Sequence, residues 1–265
     1  TGPSGHRALN HQALNPALAV LKEANTIHTL SDRVTIEYVL ERLAKGFPST
    51  IAPQGGGIVM GTDSSSLIYS PELSIFITAS QHTLPILADL WDSREGEFSY
   101  GTRHKGDYTI KNACISMLAG STQEWLISSI PSNAVGGGFT RRVNFVFAKD
   151  RQKPIPWPSL NHGAVRSNLV NDLRHISQVL KGEYTFDPSA RLLFEEVYAI
   201  KPDEFDDEAT TSHKTSAWAH ATKLAMALAA SRSDQLCINK DDMESAIKRV
   251  GDVTSQLALV FRAVG

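Results

Sequence analysis

The chain has 265 residues, of which 42% are hydrophobic, and a formal net charge of −2 at neutral pH. This length and this apolar content are enough for a large core. They suit one α/β domain with a smaller domain appended to it. The near-neutral charge excludes a bulk basic field, so any contact with nucleic acid must come from a local patch. No apolar stretch approaches the roughly 18 residues of a membrane span. The two cysteines, Cys114 and Cys237, lack metal-ligand spacing and favour a reducing, cytoplasmic compartment.

The first half of the chain mixes predicted helices and strands. Asn15 and Pro16 cap and open the first helix, and a glycine-rich stretch at 52–61 predicts a loop. Residues 98–110 alternate around a polar tip and predict a hairpin. The predicted helices are 16–24, 34–44, 72–79, 84–91 and 122–128, and the predicted buried strands are 66–70, 113–118 and 143–148. This mixture predicts a layered α/β core.

The composition changes after residue 152. A stiff Lys-Pro-Ile-Pro-Trp-Pro linker at 153–158 is followed by segments with helical periodicity. The predicted helices are 164–181, which Gly182 ends, 189–200, which Asp187 caps, 212–230, and 241–264, which Asn239 caps. The sequence therefore predicts two domains: an α/β core at 1–152 and a helical module at 153–265.

The chain opens on a small, glycine-containing segment that looks like a phosphate-binding loop. Small residues let backbone N–H groups face a phosphate ahead of a helix. A working loop also supplies a lysine to the phosphates and a hydroxyl to Mg²⁺, but Ala8 and Leu9 stand at those positions. The alternative is an ordinary turn. The segment consists of Gly2, Pro3, Ser4, Gly5, His6 and Arg7.

Polar residues follow two of the predicted strands. Glu72 comes just after the first, where a carboxylate can polarise a water for phosphate hydrolysis. It equally suits the first turn of a helix, where the dipole favours an acid. Ser121 and Thr122 follow the second strand. They can orient a water or a γ-phosphate, or cap the helix that begins there.

A cationic group lies on the tip of the predicted hairpin. It consists of Arg103, His104 and Lys105. Such a tip suits contacts with the sugar–phosphate backbone of a nucleic acid. The alternative is an ordinary solvated turn.

Two arginines link a glycine-rich turn to the last predicted strand. Arg141 and Arg142 follow three glycines at 136–138 and precede the strand at 143–148. Placed there, either guanidinium can reach a phosphate on its own subunit or on a neighbouring one. The alternative is a pair of surface arginines.

His220 and Lys223 lie one turn apart on the predicted helix 212–230 and can share a face. Lys223 can contact a nucleotide from a helical lid, or the two residues can form a solvated face. The sequence has no G-x-S-x-G nucleophile motif, and its nine histidines have no H-E-x-x-H spacing.

The candidates follow one order: phosphate loop, acid after a strand, polar strand end, arginine before a strand, helical lid. That order resembles an AAA+ ATPase, and most closely a helicase-like family, largely of unknown function, found beside primase modules in phages, plasmids and bacterial genomes. The specific part spans 100–147, including Gln-Glu-Trp at 123–125 and Thr-Arg-Arg-Val-Asn-Phe-Val-Phe at 140–147. The Pro-Trp-Pro linker and the Lys-Leu-Ala-Met-Ala-Leu stretch from Lys223 also match.

The resemblance implies a three-layer α/β/α P-loop core, with its first strand missing, followed by an all-helical lid. By position, Glu72 matches the Walker B acid, Thr122 sensor 1, Arg142 the arginine finger and Lys223 a sensor-2-like lid residue. Residues 2–7 match the Walker A loop, and the hairpin tip matches the hairpin that such helicases point at DNA. The implied cofactors are ATP and Mg²⁺. The implied partners are single-stranded DNA, a primase and further copies of the chain in a hexameric ring, with no membrane.

Three functions remain open from the sequence. The first is ATP-driven unwinding of DNA in the replication of a phage or plasmid. The second is a non-hydrolysing DNA-binding or assembly module, which Ala8 and Leu9 favour. The third is a different phosphate-handling enzyme on an α/β scaffold. We also expect a fragment or an altered copy, because the strand that should precede Gly2 is missing.

Overall fold

The computed structural model describes residues 15–30, 35–51, 59–77, 82–92, 97–102, 106–130, 138–147 and 163–261. The chain divides into two compact units, Thr1–Thr122 with Ser159–Arg174, and Gln123–Pro158 with His175–Gly265. Helices and strands are mixed, so the predicted α/β class is confirmed. The predicted domain boundary between residues 152 and 153 lies outside the described residues and stays a prediction.

Strand β3 (Val59–Ser70) is the centre of the sheet in the first unit. Its second half pairs in parallel with β1 (His28–Leu30) and with β6 (Ala113–Ala119). Its first half pairs antiparallel with β2 (Phe47–Ile51). A central strand with parallel neighbours is buried on both faces, which explains why Leu67, Ile68 and Tyr69 form an unbroken buried run.

The sequence predicted this sheet only in part. The strands predicted at 66–70 and 113–118 are confirmed, and β3 is longer than expected. Residues 59–61, which were predicted to lie in a loop, belong to β3, while 52–58 lie outside the described residues. Strands β1 and β2 were not predicted, because three and five residues give little periodicity to detect.

Four helices belong to the first unit, α1 (Asn15–Ala24), α2 (Ile36–Lys45), α3 (Leu73–Ile77) and α4 (Thr83–Trp91). In α2 the hydroxyl of Thr35 caps the first turn by accepting from Tyr38 N, and the buried residues repeat at helical spacing. The helix ends at Gly46, whose φ of 62° lies in the left-handed region that glycine adopts at low cost. All four predicted helices are confirmed within two or three residues over the described part of the chain.

The predicted hairpin is also confirmed. Strands β4 (Glu97–Thr102) and β5 (Gly106–Lys111) pair antiparallel, with Thr102 opposite Gly106. Tyr108 and Ile110 on β5 are buried, and α2 packs against this strand. The tip residues Arg103, His104 and Lys105 lie outside the described residues.

The second unit is mainly helical in its described residues. It contains α5 (Gln123–Ser129), a 3₁₀ turn (Thr140–Arg142), α7 (Pro188–Tyr198), α8 (Glu208–Lys214), α9 (Ala217–Arg232) and α10 (Lys240–Phe261). Helix α6 (Gly163–Val179) contributes to both units, which divide after Arg174. Small buried residues on α9, including Ala221, Ala225 and Ala229, allow α7 and α10 to pack close around it.

Three expectations for this part of the chain are wrong. The predicted helix 212–230 is two helices, because Thr215 and Ser216 form a turn in which the Thr215 hydroxyl donates to Ser212 O at 2.6 Å. The module is not all-helical, since β7 (Thr185–Phe186) and β8 (Cys237–Ile238) form a short parallel pair.

The predicted strand 143–148 is the third error. The φ and ψ angles of Val143 are −116° and 129°, which is an extended conformation. The β-branched residues of this segment favour such a backbone. No strand pairs with residues 143–147 in the described part of the chain, and residue 148 lies outside it. β-propensity marks an extended backbone but does not supply the partner that a strand needs.

No helix among the described residues is both long enough and apolar enough to cross a bilayer.

Candidate functional site

Two predicted site residues lie at the same edge of the first unit's sheet. Ser70 and Ala119 are opposite each other in the parallel ladder of β3 and β6, so both strands end together. Gly120 N donates to Ser70 O at 3.0 Å, and Leu73 N donates to Gly120 O at 2.7 Å. These backbone bonds continue the ladder past the strand ends. They bring Glu72 beside the segment of Gly120, Ser121 and Thr122, and we call these four residues the strand-end site.

The side chains of the strand-end site are accessible from solvent. Glu72 is exposed, and its Oε1 accepts from Ser74 Oγ at 3.2 Å. The hydroxyl of Ser70, which is buried, donates to Glu72 O at 2.9 Å and fixes the backbone there. Thr122 is half-buried, and Ser121 Oγ donates to its carbonyl oxygen at 3.1 Å. One carboxylate and two hydroxyls therefore belong to segments that lie at the same sheet edge.

The structural alternatives for these residues also hold. Glu72 directly precedes α3 and Thr122 directly precedes α5, so both occupy positions where helix ends favour such side chains. Among the described residues, no group of three His, Cys, Asp or Glu side chains is arranged to hold a metal ion. The described part of the strand-end site therefore offers one carboxylate rather than a complete metal site.

The second candidate region is the segment at 138–147, which we call the arginine turn. Phe139 and Thr140 are buried, and Arg142 N donates to Phe139 O at 2.9 Å to close the 3₁₀ turn. The Arg142 guanidinium donates back to Gly138 O within the same turn. The side chain of Arg141 is exposed. The two arginines thus differ, since Arg142 is folded onto its own backbone and Arg141 extends outward.

Side chains of three helices hold the arginine turn in the second unit. His213 on α8 and His220 on α9 stack with ring centroids 4.7 Å apart and planes 9° from parallel. Asn144 bridges the two rings, with His213 Nε2 at 3.0 Å from its Oδ1 and His220 Nδ1 at 3.1 Å from its Nδ2. His220 Nε2 lies 2.8 Å from Arg141 O, and His213 Nδ1 lies 2.9 Å from the hydroxyl of Thr254 on α10. We call Asn144, His213, His220 and Thr254 the histidine network.

The partners define the proton positions of the histidine network. Because the Arg141 carbonyl can only accept, His220 carries its proton on Nε2 and accepts from Asn144 through Nδ1. Asn144 then presents its oxygen to His213, which also carries its proton on Nε2. The Thr254 hydroxyl donates to Val250 O at 2.8 Å, and its oxygen lies 2.9 Å from His213 Nδ1. In this assignment the bonds to the Arg141 carbonyl and to the Asn144 amide are all made by neutral imidazole rings.

Burial explains why the two rings are neutral. Desolvation lowers the pKa of His213 to about 4, and the neighbouring His220 adds to this effect. Desolvation also lowers the pKa of His220, against the opposing hydrogen bond to Arg141 O, and the nearby charge of Lys223 lowers it further. Both residues are almost inaccessible to solvent.

The sequence predicted part of this region and missed the rest. His220 and Lys223 lie one turn apart on α9, as predicted. Lys223 is exposed, but His220 is buried, so the interpretation of a solvated face is wrong for His220. Asn144, His213 and Thr254 were not singled out. The seven-residue spacing of His213 and His220, which is two helical turns, was the available signal. Nothing in the sequence indicated Asn144.

The remaining predicted site residues stay predictions. Gly2, Pro3, Ser4, Gly5, His6 and Arg7 lie outside the described residues, as do Arg103, His104 and Lys105. Glu72 and Thr122 belong to the first unit, and Arg142 and Lys223 belong to the second. The sequence matches no protein-family model and no curated protein.

Proposed function

We propose that this chain is a helicase-like ATPase domain of the AAA+ kind, which couples ATP hydrolysis to unwinding or translocation of DNA in the replication of a phage or plasmid. The observation that carries the proposal is the strand-end site. Glu72 follows β3, and Ser121 and Thr122 follow the parallel strand β6. The 2.7 Å bond from Leu73 N to Gly120 O joins these two segments. Ligands of open parallel sheets bind beyond the carboxyl ends of the strands, which supports a nucleotide at this edge.

Each proposed role follows from the charge and position of the side chain. Glu72 polarises the attacking water, and Thr122 orients that water or the γ-phosphate. Arg142 stabilises charge on the transferred phosphoryl group of a neighbouring subunit in a hexameric ring. Lys223 is exposed on α9 and contacts the nucleotide from the lid. Mg²⁺, when bound with ATP, neutralises charge on the phosphates.

A specific feature of the sequence favours a second candidate function. Ala8 and Leu9 stand where the phosphate loop needs a lysine and a hydroxyl. Without the lysine, the β- and γ-phosphates lack a main cationic contact. The second candidate is therefore a non-hydrolysing module of the same fold that binds single-stranded DNA or assembles with further copies or with a primase.

Nucleotide binding and turnover test the first proposal. We expect a fluorescent ATP analogue to bind in the presence of Mg²⁺, and single-stranded DNA to stimulate hydrolysis. Arg142→Ala should lower kcat by about 10³-fold or more if this residue is an arginine finger. The matched control is Arg141→Ala, which removes the same charge one residue away. Turnover that survives both Arg142→Ala and Glu72→Gln contradicts the proposal, and DNA binding without nucleotide binding supports the second candidate.

The DNA contact has its own test. Replacing both Arg103 and Lys105 by alanine should weaken binding of single-stranded DNA. It should also reduce the slope of log affinity against log salt by about 0.7 for each lost phosphate contact. Salt-insensitive DNA binding, or binding unchanged by the double substitution, would remove the hairpin from the proposal.

A further inference from the structure

A polar pocket lies at the outer edge of the first unit's sheet, beside β1. Strands β1 and β6 pair with the same residues of β3, so they lie on opposite sides of it. Among the described residues, no strand pairs with the outer edge of β1. The last turn of α1, the helix α2 and the first residue of β2 enclose a pocket of about 270 Å³ there. We call it the β1-edge pocket.

The β1-edge pocket is separate from the strand-end site. His28, which lines the pocket, pairs with Ser66 of β3, whereas β3 ends at Ser70. The four residues from Ser66 to Ser70 span about 13 Å along the strand. The strand-end site also joins β3 to β6, on the other side of β3. None of the roles proposed above for Glu72 and Thr122 therefore uses this pocket.

Lys22 is the first cation of the pocket. Its side chain is exposed, and no carboxylate pairs with it in the described part of the chain. The neighbouring Glu23 is already paired with Arg166 at 2.6 Å. The carbonyl groups that end α1, Glu23 O and Ala24 O, accept from Arg174 at 2.8 and 3.3 Å. Other bases thus neutralise the adjacent acid and satisfy the helix end, which leaves the charge of Lys22 available to a ligand.

Arg42 is the second cation, and an aromatic ring holds it. Its Cζ lies over the buried Phe47 ring, 5.3 Å from the centroid, where the ring face attracts the charge. The neighbouring Glu41 is paired with Lys45 at 2.7 Å. A guanidinium that packs on a ring keeps the N–H groups along its edge for an anion. The described residues that line the pocket include no acid, so both cations face a space without a counter-ion from these residues.

Aromatic rings also line the pocket. Phe47 stacks on His28 with ring centroids 3.8 Å apart and planes 11° from parallel, which fixes the start of β2 beside the start of β1. Tyr38 is 44% exposed and lies one helical turn before Arg42 on α2. A ring surface beside two cations is the combination that binds the base and the phosphate of a nucleotide.

We propose that the β1-edge pocket binds a nucleotide through its phosphate, either as a free nucleotide or as part of a single strand of nucleic acid. Lys22 and Arg42 contact the phosphate oxygens, Arg42 by the two-point contact that a planar guanidinium makes. Backbone N–H groups at the open edge of β1 are further donors, and Tyr38 stacks on the base. A volume of about 270 Å³ is small for a ligand pocket and suits a single nucleotide.

Binding of three defined probes tests the ligand class. The probes are inorganic phosphate, a fluorescent nucleoside monophosphate and a short fluorescent oligothymidylate. We expect both nucleotide probes to bind, and inorganic phosphate to compete only weakly. Tighter binding of the oligothymidylate supports a strand as the ligand, and tighter binding of the monophosphate supports a free nucleotide. Inorganic phosphate that binds as tightly as the nucleotides would overturn the assignment to a nucleotide, and absence of binding by all three would overturn the site.

Charge-removing substitutions assign the binding to this pocket. Lys22→Gln and Arg42→Gln should each weaken nucleotide binding by about tenfold, and Arg42→Lys should restore only part of the loss. Tyr38→Ala should weaken binding of the nucleotides by about tenfold and leave that of inorganic phosphate unchanged. The matched control is Lys45→Gln, which removes the same charge from α2 at a position outside the described lining. An effect of Lys45→Gln equal to that of Lys22→Gln would indicate only long-range attraction and overturn the proposal.

Acylation of lysine side chains tests the site on the unmodified chain. Mass spectrometry measures the acylation of each lysine separately, so the result does not depend on whether Arg42→Gln folds. Saturation with the tighter-binding nucleotide probe should protect Lys22 severalfold. It should leave Lys45, whose side chain is 61% exposed, unprotected. Equal reactivity of Lys22 with and without the probe would overturn the proposal.

The inference does not rest on the proposed function, because neither binding nor acylation requires hydrolysis of ATP. A protein without ATPase activity in which a nucleotide protects Lys22 would refute the proposed function and leave the pocket. An active ATPase in which Lys22 stays unprotected, and in which Lys22→Gln leaves nucleotide binding unchanged, would refute the pocket and leave the proposed function.

Discussion

The strand-end site and the arginine turn are built by different kinds of bond. In the strand-end site, backbone bonds that extend a parallel ladder hold the segments after β3 and β6 together. In the arginine turn, side chains of α8, α9 and α10 hold an extended segment to which no strand pairs in the described part of the chain. Backbone bonds depend little on residue type or pH, whereas bonds through imidazole rings depend on both. The two regions should therefore respond differently to substitution and to acid.

The largest expected effect comes from the core beneath the strand-end site. Ile68 is fully buried on β3, between Leu30 of β1 and Met117 of β6. Ile68→Ala should lower the free energy of unfolding by about 4 kcal/mol, because it removes buried methylene groups and leaves a cavity. Ile68→Val should cost only about 1 kcal/mol. Urea denaturation of both variants measures the difference, and equal small losses would mean that the sheet does not depend on this packing.

The next effect tests the apolar attachment of the arginine turn. Phe145 is buried and meets Phe261 at 5.3 Å. Phe145→Ala should lower the free energy of unfolding by about 3 kcal/mol. The adjacent Val146 is 80% exposed, so Val146→Ala should stay within about 0.5 kcal/mol of the original chain. A large effect of Val146→Ala would indicate that a surface outside the described contacts covers this segment.

Acid should destabilise the second unit through the histidine network. The pKa of His213 is about 4 in the folded chain against an ordinary value of 6.5. The unfolded chain therefore binds more protons below pH 6.5, and the free energy of unfolding falls as pH falls towards 4. The loss between pH 7 and pH 5 should be about 2 kcal/mol for this group.

Thermal or urea denaturation at several pH values checks this expectation. His213→Gln should flatten the pH dependence in the same interval. Hydrogen bonds with Lys214 and Arg232 are the main cause of the lowered pKa values of Asp206 and Asp242, respectively. These two groups lower the free energy of unfolding further only as pH falls below their ordinary pKa range. An unchanged slope in His213→Gln would show that other groups carry the acid sensitivity.

A smaller effect is expected from the side-chain bond that Ser70 makes to the backbone of the strand-end site. Ser70 is buried, and its hydroxyl donates to Glu72 O at 2.9 Å. Ser70→Ala should cost about 1 kcal/mol and should leave the stability equally sensitive to pH. A loss as large as that of Ile68→Ala would contradict the view that the backbone ladder holds this site.

The smallest effect concerns the contact between Arg142 and its own turn. A Cβ added at Gly138 would lie 2.8 Å from Arg142 Nη1, at the far end of a flexible side chain. Gly138→Ala should displace the guanidinium at a cost of less than about 0.5 kcal/mol in stability. If Arg142 is the arginine finger, DNA-stimulated turnover should change while the unfolding midpoint stays constant. A large shift of the midpoint would instead mean that the bond to Gly138 O is structural.

The sequence predicted best where local pattern and tertiary structure agree. The cap of α7 at Asp187, the apolar run of β3 and the alternation of β4 and β5 each carry their own signal, and all are present. The segment at 143–147 carries an equally strong β signal. It is not a strand, because pairing depends on a partner elsewhere in the chain.

The candidate sites divide in the same way. Glu72 and Thr122 were found from their positions after strands, and the parallel register of β3 with β6 brings their segments together. The histidine network joins residues 144, 213, 220 and 254, and the sequence carried a signal only for the two histidines, through their seven-residue spacing. The roles proposed for Glu72, Thr122, Arg142 and Lys223 remain predictions for the experiments above.

The sequence alone determined the mixed α/β class, most of the helices and the residues that follow the strands, because propensity, capping and periodicity act over a few neighbouring residues. Only the tertiary structure decided that Arg141 and Arg142 lie on a turn held by two neutral histidines, that a predicted long helix breaks at Thr215 and Ser216, and that His220 is buried. The physical reason is that burial and pairing are properties of contacts between distant segments. The same imidazole is a solvated base on a free helix and a neutral hydrogen-bonding partner in a packed one.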